Sequence, residues 1–249
     1  MSGHVLWNPT TGEYKILPKL FVEAPPHHTY VCQSFGMWSD HRFEDYKLLN
    51  LVHARLEDEK RNFLGSSYHI DLYSLKTNSW KRIPCTEFVG FDGSTCACIS
   101  GVFYCKAYLK ESHAILSFDF ATETLSSIPA PNNSWHRYYF LEYKGLLSAF
   151  ECWSHKKGYP PYTPWKYELW VMRDGSWTME SIIRTRGVKE PLWFSPDGKL
   201  LYFASWTDEL VVVDRDTGKL KYLGVHWSTT YTIKHPMMVP LYESFVRFN

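Results

Sequence analysis

No apolar run in this sequence approaches the roughly 18 residues that a membrane-spanning helix needs, and the N-terminus lacks the basic and apolar regions of a secretory signal. Charge of one sign is also missing. The net charge is +1 with both signs interspersed, which removes the long-range attraction expected of a nucleic-acid or membrane-surface binder. Cysteine is sparse: Cys32, Cys85, Cys96, Cys98, Cys105 and Cys152 contain no C-x-x-C pair and no disulfide framework. Zinc-ligand spacing is absent, so these residues read as reduced thiols packed like small apolar side chains. The expected location is the cytoplasm. There is no phosphate-binding glycine loop, nucleophile elbow or His-x-x-x-His pair, which argues against several enzyme classes and against a bound cofactor or metal.

Aromatic residues, by contrast, make up 17% of the chain, with 11 Trp. The apolar stretches are short and broken by Gly, Pro, Asn and Ser, a pattern of β-strands. One phrase recurs about five times: an apolar strand, a polar turn with Thr or Asp beside Gly or Asn, and a second strand. It reads Val5-Leu-Trp-Asn-Pro-Thr-Thr-Gly-Glu-Tyr-Lys-Ile-Leu-Pro18 and returns at 70–84, 115–129, 168–179 and 210–223. The turn residues Thr11, Thr77, Thr122, Asp174 and Thr217 lie about 66, 45, 52 and 43 residues apart, near the roughly 40 to 50 residues of one propeller blade.

Between the phrases lie pairs of shorter strands. Segments 29–36 and 45–53 precede the second phrase, 95–99 and 101–108 the third, 137–143 and 146–152 the fourth, and 191–195 and 200–204 the fifth. The predicted fold is therefore all-β, one domain over residues 1–249, a propeller-like ring of about four complete blades and one split, incomplete blade. The tail Tyr242–Phe248 is expected to join Val5–Leu17 and protect an edge that would otherwise template aggregation. Even so, that blade is one strand short, before Val5. A β-sandwich would show short strands without the blade-length repeat.

Three segments exceed what hairpins require. Residues 55–67 link two strands, 154–166 are basic, aromatic and Pro-rich, and 17–28 hold three prolines and His27-His28. Loops on a rigid scaffold are where binding concentrates. Trp135, His136, Arg137, Tyr159, Tyr162 and Trp165 fall outside the packing periodicity, and aromatics beside basic residues are enriched at protein-binding hot spots. Arg55, Glu57, Asp58 and Arg61 lie in the charged segment. These ten residues are the candidate partner surface. Trp80 and Trp177 close the same turn at the same place and read as blade-packing residues, with Trp7 in a matching strand. Asp45, Asp119, Glu151 and Asp214 sit near strand ends. They could form an acid and base pair only if they faced a central channel; the commoner role is a solvated turn carboxylate. The ordinary reading of His27, His28 and His155 is surface histidine.

The series Leu-Trp-Asn-Pro-Thr-Thr-Gly, Asp45-Tyr-Lys-Leu-Leu, Tyr-Ser-Leu-x-Thr-x-Ser-Trp, Gly-Val-Phe-Tyr, Ile-Leu-Ser-Phe-Asp and Leu-Trp-Val-Met resembles the plant F-box-associated interaction domain. Together with the closing Tyr-x-Glu-Ser-Phe-Val, its wording is most similar to S-locus F-box and S-locus F-box-like proteins. The resemblance implies a substrate-recognition module of an SCF-type ubiquitin ligase, with kelch-like architecture and no catalytic residues. Its implied partner is a protein target, for the S-locus members an S-RNase in the self-incompatibility of pollen and pistil. The Skp-type adaptor and cullin are reached in that family through an F-box, which these residues do not contain. The Asn-Gly-Leu-Val-Cys-like strand that precedes Leu-Trp-Asn-Pro there is missing too, and Cys105 stands where relatives carry Trp. Two rivals follow: a carbohydrate-binding or carbohydrate-active propeller, and a dominant-negative binder that holds a substrate without delivering it.

Overall fold

A computed structural model describes residues 5–20, 28–40, 45–57, 63–131, 137–153 and 165–226. These form strands and turns with no helix among the described residues. The first sheet has two strands, β1 (Val5–Trp7) and β2 (Tyr14–Ile16). The second is an antiparallel meander of β3 (His28–Ser39), β4 (Tyr46–Glu57), β5 (Phe63–Ser74) and β6 (Ser79–Ile83). A third follows with β7 (Gly90–Ile99), β8 (Val102–Tyr108), β9 (His113–Asp119) and β10 (Thr124–Pro129). The fourth holds β11 (Arg137–Tyr143), β12 (Leu146–Trp153), β13 (Trp165–Arg173) and β14 (Ser176–Thr185), and the fifth β15 (Val188–Phe194), β16 (Leu200–Ser205), β17 (Glu209–Asp214) and β18 (Leu220–His226). The leading strands touch in sequence, β3 with β7, β7 with β11 and β11 with β15. The sheets are thus propeller blades around an axis, four complete and one partial.

Each repeated phrase forms the last two strands of its sheet, and its turn composition has a direct cause. The backbone passes through positive φ at Gly12 (74°), Asn78 (50°), Glu123 (55°), Gly175 (76°) and Gly218 (69°), a conformation that Gly enters freely and Asn tolerates. Asn8, Asp119 and Asp214 then cap the turn. Asp119 Oδ1 accepts from the amides of Ala121 and Thr122 at 2.8 and 2.9 Å, and Asp214 Oδ1 from those of Asp216 and Thr217 at 3.0 and 2.8 Å. Glu123 departs from this chemistry. Its carboxylate reaches Lys47 at 2.7 Å and also pairs with Lys81, so it joins the second and third sheets from a strained position.

The period-2 alternation of each strand gives one set of side chains to each neighbouring sheet. Leu49, Leu72, Phe103 and Phe118 fill the space between the second and third sheets; Ile99, Ile115, Phe140 and Ala149 lie between the third and fourth; Phe150, Leu169, Phe194 and Phe203 lie between the fourth and fifth. The phrase tryptophans latch adjacent sheets. Trp80 Nε1 donates to Pro18 O at 2.9 Å, and Trp177 Nε1 to Pro129 O at 2.8 Å. Each latch adds about 1 kcal/mol to the packing of its ring. The third and fifth sheets carry Leu125 and Leu220 at that place, packed without a polar tie.

Three expectations change. Residues 55–67 are mostly not a loop, because β4 runs to Glu57 and β5 begins at Phe63. The strand expected at 95–99 begins at Gly90, with an irregularity between Asp92 and Ala97 that hides it from simple alternation. Trp7 is 64% exposed rather than packed, since no described residue covers that face of β1. The expected closing strand 242–248 lies outside the described residues, as do residues 21–27 and 154–164.

Candidate partner-binding rim

The hairpins of the second to fifth sheets meet across the interfaces between them. Lys47, just after the β3–β4 turn, donates to Phe120 O at 2.9 Å in the β9–β10 turn. Leu147, after the β11–β12 turn, packs on Ile99 before the β7–β8 turn. Arg215, in the β17–β18 turn, donates to Tyr143 Oη at 3.0 Å beside the β11–β12 turn. The sheets therefore share one orientation, with first-to-second and third-to-fourth turns on one rim. Strand alternation then sends the opposite ends, including the strand ends flanking 58–62, 132–136 and 154–164, to the other rim.

That second rim holds the backbone of four of the sequence-derived candidates. Arg55 and Glu57 close β4, Arg137 opens β11 opposite Cys152, and Trp165 opens β13 opposite Thr185; all four are described as backbone. Asp58, Arg61, Trp135, His136, Tyr159 and Tyr162 lie outside the described residues, in segments that these strand ends bracket. The strand ends flanking 58–62, 132–136 and 154–164 thus point the same way.

The rim also holds residues that sequence reasoning missed. His53 stacks on Tyr68 with centroids 4.4 Å apart, and its Nε2 lies 3.0 Å from Ser66 Oγ. In the next sheet His113 meets Tyr108 edge-on at 5.1 Å, with Lys106 Nζ 5.5 Å from the Tyr108 ring. Trp206, in the β16–β17 turn, is 41% exposed. His53, Tyr68, Tyr108 and His113 sit inside strands, where nothing in the sequence separates them from packing aromatics. Trp206 is a large aromatic in a tight turn, a signal that was available.

Burial lowers the pKa of His53. It also lowers that of His113, helped by Lys106, and that of His69, where Asp71 opposes and Arg82 assists. A base whose folded pKa lies below its unfolded value takes up protons preferentially when unfolded. Its contribution to stability is complete above the unfolded value of about 6.5 and is lost as pH falls below it. Asp119, held down by the Thr122 amide, and Glu180, held down by Arg173, act at lower pH. Their contributions are present above about 4 and lost as these carboxyls are protonated. The melting midpoint is accordingly expected to hold between pH 8 and 7, fall below about 6.5, and fall further below about 4. A midpoint unchanged from pH 7 to 5 in calorimetry would contradict the histidine assignment.

The carboxylates considered for catalysis do not converge. Asp45 accepts from Ser74 Oγ and the Lys76 amide at 2.8 and 2.9 Å, and Asp119 and Asp214 cap their own turns. Glu151 is fully buried on β12, in register with Glu168 on β13. Among the described residues no group of His, Cys, Asp and Glu could hold a metal, and no helix is long and apolar enough to cross a membrane. Cys105 and Cys152 are buried thiols that form no disulfide. Two open clefts are lined by residues of neighbouring sheets. One, of about 380 Å³, has Tyr104, Asp119 and Met172 in its lining; another, of about 450 Å³, has Arg184 and Arg186.

The profile of one family, described as the F-box associated beta propeller domain, matches residues 1–223. Similar proteins of Arabidopsis thaliana include F-box protein CPR1, 31% identical over 81 residues that cover 31% of this chain and 19% of that protein. A putative F-box protein is 29% identical over 175 residues, covering 67% of this chain and 39% of its own length. An F-box/kelch-repeat protein is 23% identical over 195 residues, covering 72% and 42%. The chain thus spans less than half the length of these relatives. A family 117 glycoside hydrolase from Zobellia galactanivorans, 10% identical, aligns over 88% of this chain and 74% of its own with a TM-score of 0.49, too low to carry an argument about chemistry.

Proposed function

Because the chain belongs to the family of F-box associated beta propeller domains, we propose that it selects a protein target for an SCF-type ubiquitin ligase through the rim that carries Trp135, His136, Arg137, Tyr159, Tyr162 and Trp165, with Arg55, Glu57, Asp58 and Arg61 beside them. The observation that supports this reading is that the strand ends flanking 58–62, 132–136 and 154–164 lie on one rim. Such a domain acts by binding. In this reading the adaptor, the cullin and ubiquitin transfer belong to other parts of the ligase, and the turn-capping roles of Asp119 and Asp214 count against the carbohydrate-active rival.

Capture of partners from pollen and pistil extracts on the immobilised chain, followed by mass spectrometry and affinity measurement, tests the reading. Alanine at Tyr159, Tyr162 and Trp165 together is expected to weaken the retained partner at least about tenfold with an unchanged melting midpoint. Unchanged affinity would remove this segment from the binding surface. Enrichment of an S-RNase would extend the proposal to self-incompatibility; a different retained protein would keep substrate recognition and change the target.

A further inference from the structure

Two of the contacts between four-stranded sheets are closed near one rim by a cation of the chain itself. Lys47 of the second sheet reaches Phe120 O and Glu123 of the third. Arg215 of the fifth reaches Tyr143 and Ser181 of the fourth. Between the third and fourth sheets the corresponding place is an open cleft of about 380 Å³ whose lining holds no cation. The register shows why. Lys47 pairs with Ser74, the last residue of β5, and its counterpart Val102 pairs with Asp119, the last residue of β9. Where the second sheet sets a lysine opposite a hydroxyl, the third sets a valine opposite a carboxylate.

The face that the third sheet turns to the fourth changes character along its strands. Ile115 and Ile128, opposed across β9–β10, belong to the apolar core; Tyr104 and Ser117, opposed across β8–β9, come next on the same face, and Asp119 ends the series. Leu147 and Met172 of the fourth sheet line the other side, and Gly175 in the β13–β14 turn places the cleft at the rim away from the candidate partner surface. Asp119 is ionised at neutral pH, because the Thr122 amide holds its carboxyl below the usual range. The capping bonds from Ala121 and Thr122 both end on its Oδ1. Burial raises the pKa of the Tyr104 phenol, and Asp119 adds to the rise, so the hydroxyl keeps its proton. Ser117 Oγ donates to Ser126 O at 3.4 Å and keeps its lone pairs for another donor.

We propose that this cleft binds an arginine side chain of a protein partner, with its stem along Leu147, Met172 and Ile128, its guanidinium at Asp119, and the hydroxyl oxygens of Tyr104 and Ser117 as further acceptors. A fixed carboxylate in a lining without a cation calls for one from outside, and the apolar wall suits an amphipathic side chain better than an inorganic ion. Arginine fits better than lysine, since its planar fork addresses a carboxylate and two hydroxyls together. This contact lies on the opposite rim from the one proposed for target selection and does not depend on it.

Titration of the whole chain with the blocked tripeptide acetyl-Gly-Arg-Gly-amide, followed by NMR of methyl-labelled methionine and leucine, tests the assignment. Saturable shifts of the Met172 and Leu147 methyls are expected below about 50 mM. The citrulline tripeptide has the same shape without the charge and should bind at least about tenfold more weakly. Asp119→Asn keeps the turn-capping oxygen and loses the charge, so the same loss is expected there with the rest of the methyl spectrum in place. Val102→Lys should supply from within the cation that Lys47 supplies at the neighbouring interface, and so exclude the arginine peptide. Should Asp119→Asn fail to fold, the citrulline comparison and Val102→Lys still decide. Absence of saturable shifts at Met172 and Leu147 overturns the proposal, as does equal binding of the arginine and citrulline peptides or undiminished binding to Val102→Lys.

Discussion

Arg215→Ala is expected to destabilise the chain by about 3 kcal/mol and to lower its melting midpoint by roughly 6–12 °C. The Arg215 guanidinium donates to Tyr143 Oη at 3.0 Å, to Gly198 O at 2.7 Å and to Ser181 Oγ at 3.0 Å. Its plane also lies 5.1 Å from the Tyr143 ring and 5.5 Å from that of Phe194. Tyr143 Oη passes the interaction on to Glu180, which Arg173 holds at 2.6 Å. One side chain on the fifth sheet thereby ties down two elements of the fourth and one of its own. Surface ion pairs contribute little, but this residue is partly buried and its bonds are made by a planar fork. Arg215→Lys keeps the charge and loses the fork, so it should recover less than half of the loss. Equal stability of the lysine and wild-type chains in urea denaturation would show that charge alone matters there.

A comparable loss is expected from Gly36→Ala. In an ordinary strand that change stabilises by about 0.5–1 kcal/mol, because alanine loses less backbone entropy on folding. At Gly36 a Cβ would stand 2.3 Å from a carbon of the Phe103 ring, far inside van der Waals contact. Phe103 is 1% exposed in the core between the second and third sheets and has little room to retreat. Overpacking of this kind costs about 1–3 kcal/mol and occasionally more, so the clash outweighs the entropy gain and a net destabilisation of about 2 kcal/mol follows. Phe103→Leu in the same chain should relieve part of it, giving a double-mutant coupling of at least about 1 kcal/mol. Strict additivity would show that Gly36 is needed for its backbone and not for the approach of β3 to Phe103.

Some features of the candidate rim could be read from residue types alone. Trp135, Tyr159, Tyr162 and Trp165 stood out because they break the packing period of the phrases, and the charged run around Arg55–Arg61 because no strand signal follows it at once. That the strand ends flanking these segments share one rim was not legible. It depends on how many strands separate the two segments, and β4 and β5 extend well past the limits that alternation indicated. The stacked pair His53 and Tyr68 was hidden for the same reason. Both lie in strands, and a strand residue shows in sequence only which face it shares with neighbours two positions away, not what the face meets.

What the sequence by itself determined is local: strand, turn and repeat. A turn that requires positive φ selects Gly or Asn wherever it occurs, as at Gly12, Asn78 and Gly218, and a phrase repeated at blade length requires copies of one unit. Only the tertiary structure decided which copies touch and through which atoms. Phe103 lies on Gly36, Arg215 reaches Tyr143 72 residues away, and Trp177 finds the carbonyl of Pro129 48 residues away. Such contacts follow from the twist and spacing of packed sheets. Many side chains of suitable size would have satisfied the apolar pattern at each of these positions, so their pairing is set by close packing in three dimensions and leaves no periodic trace along the chain.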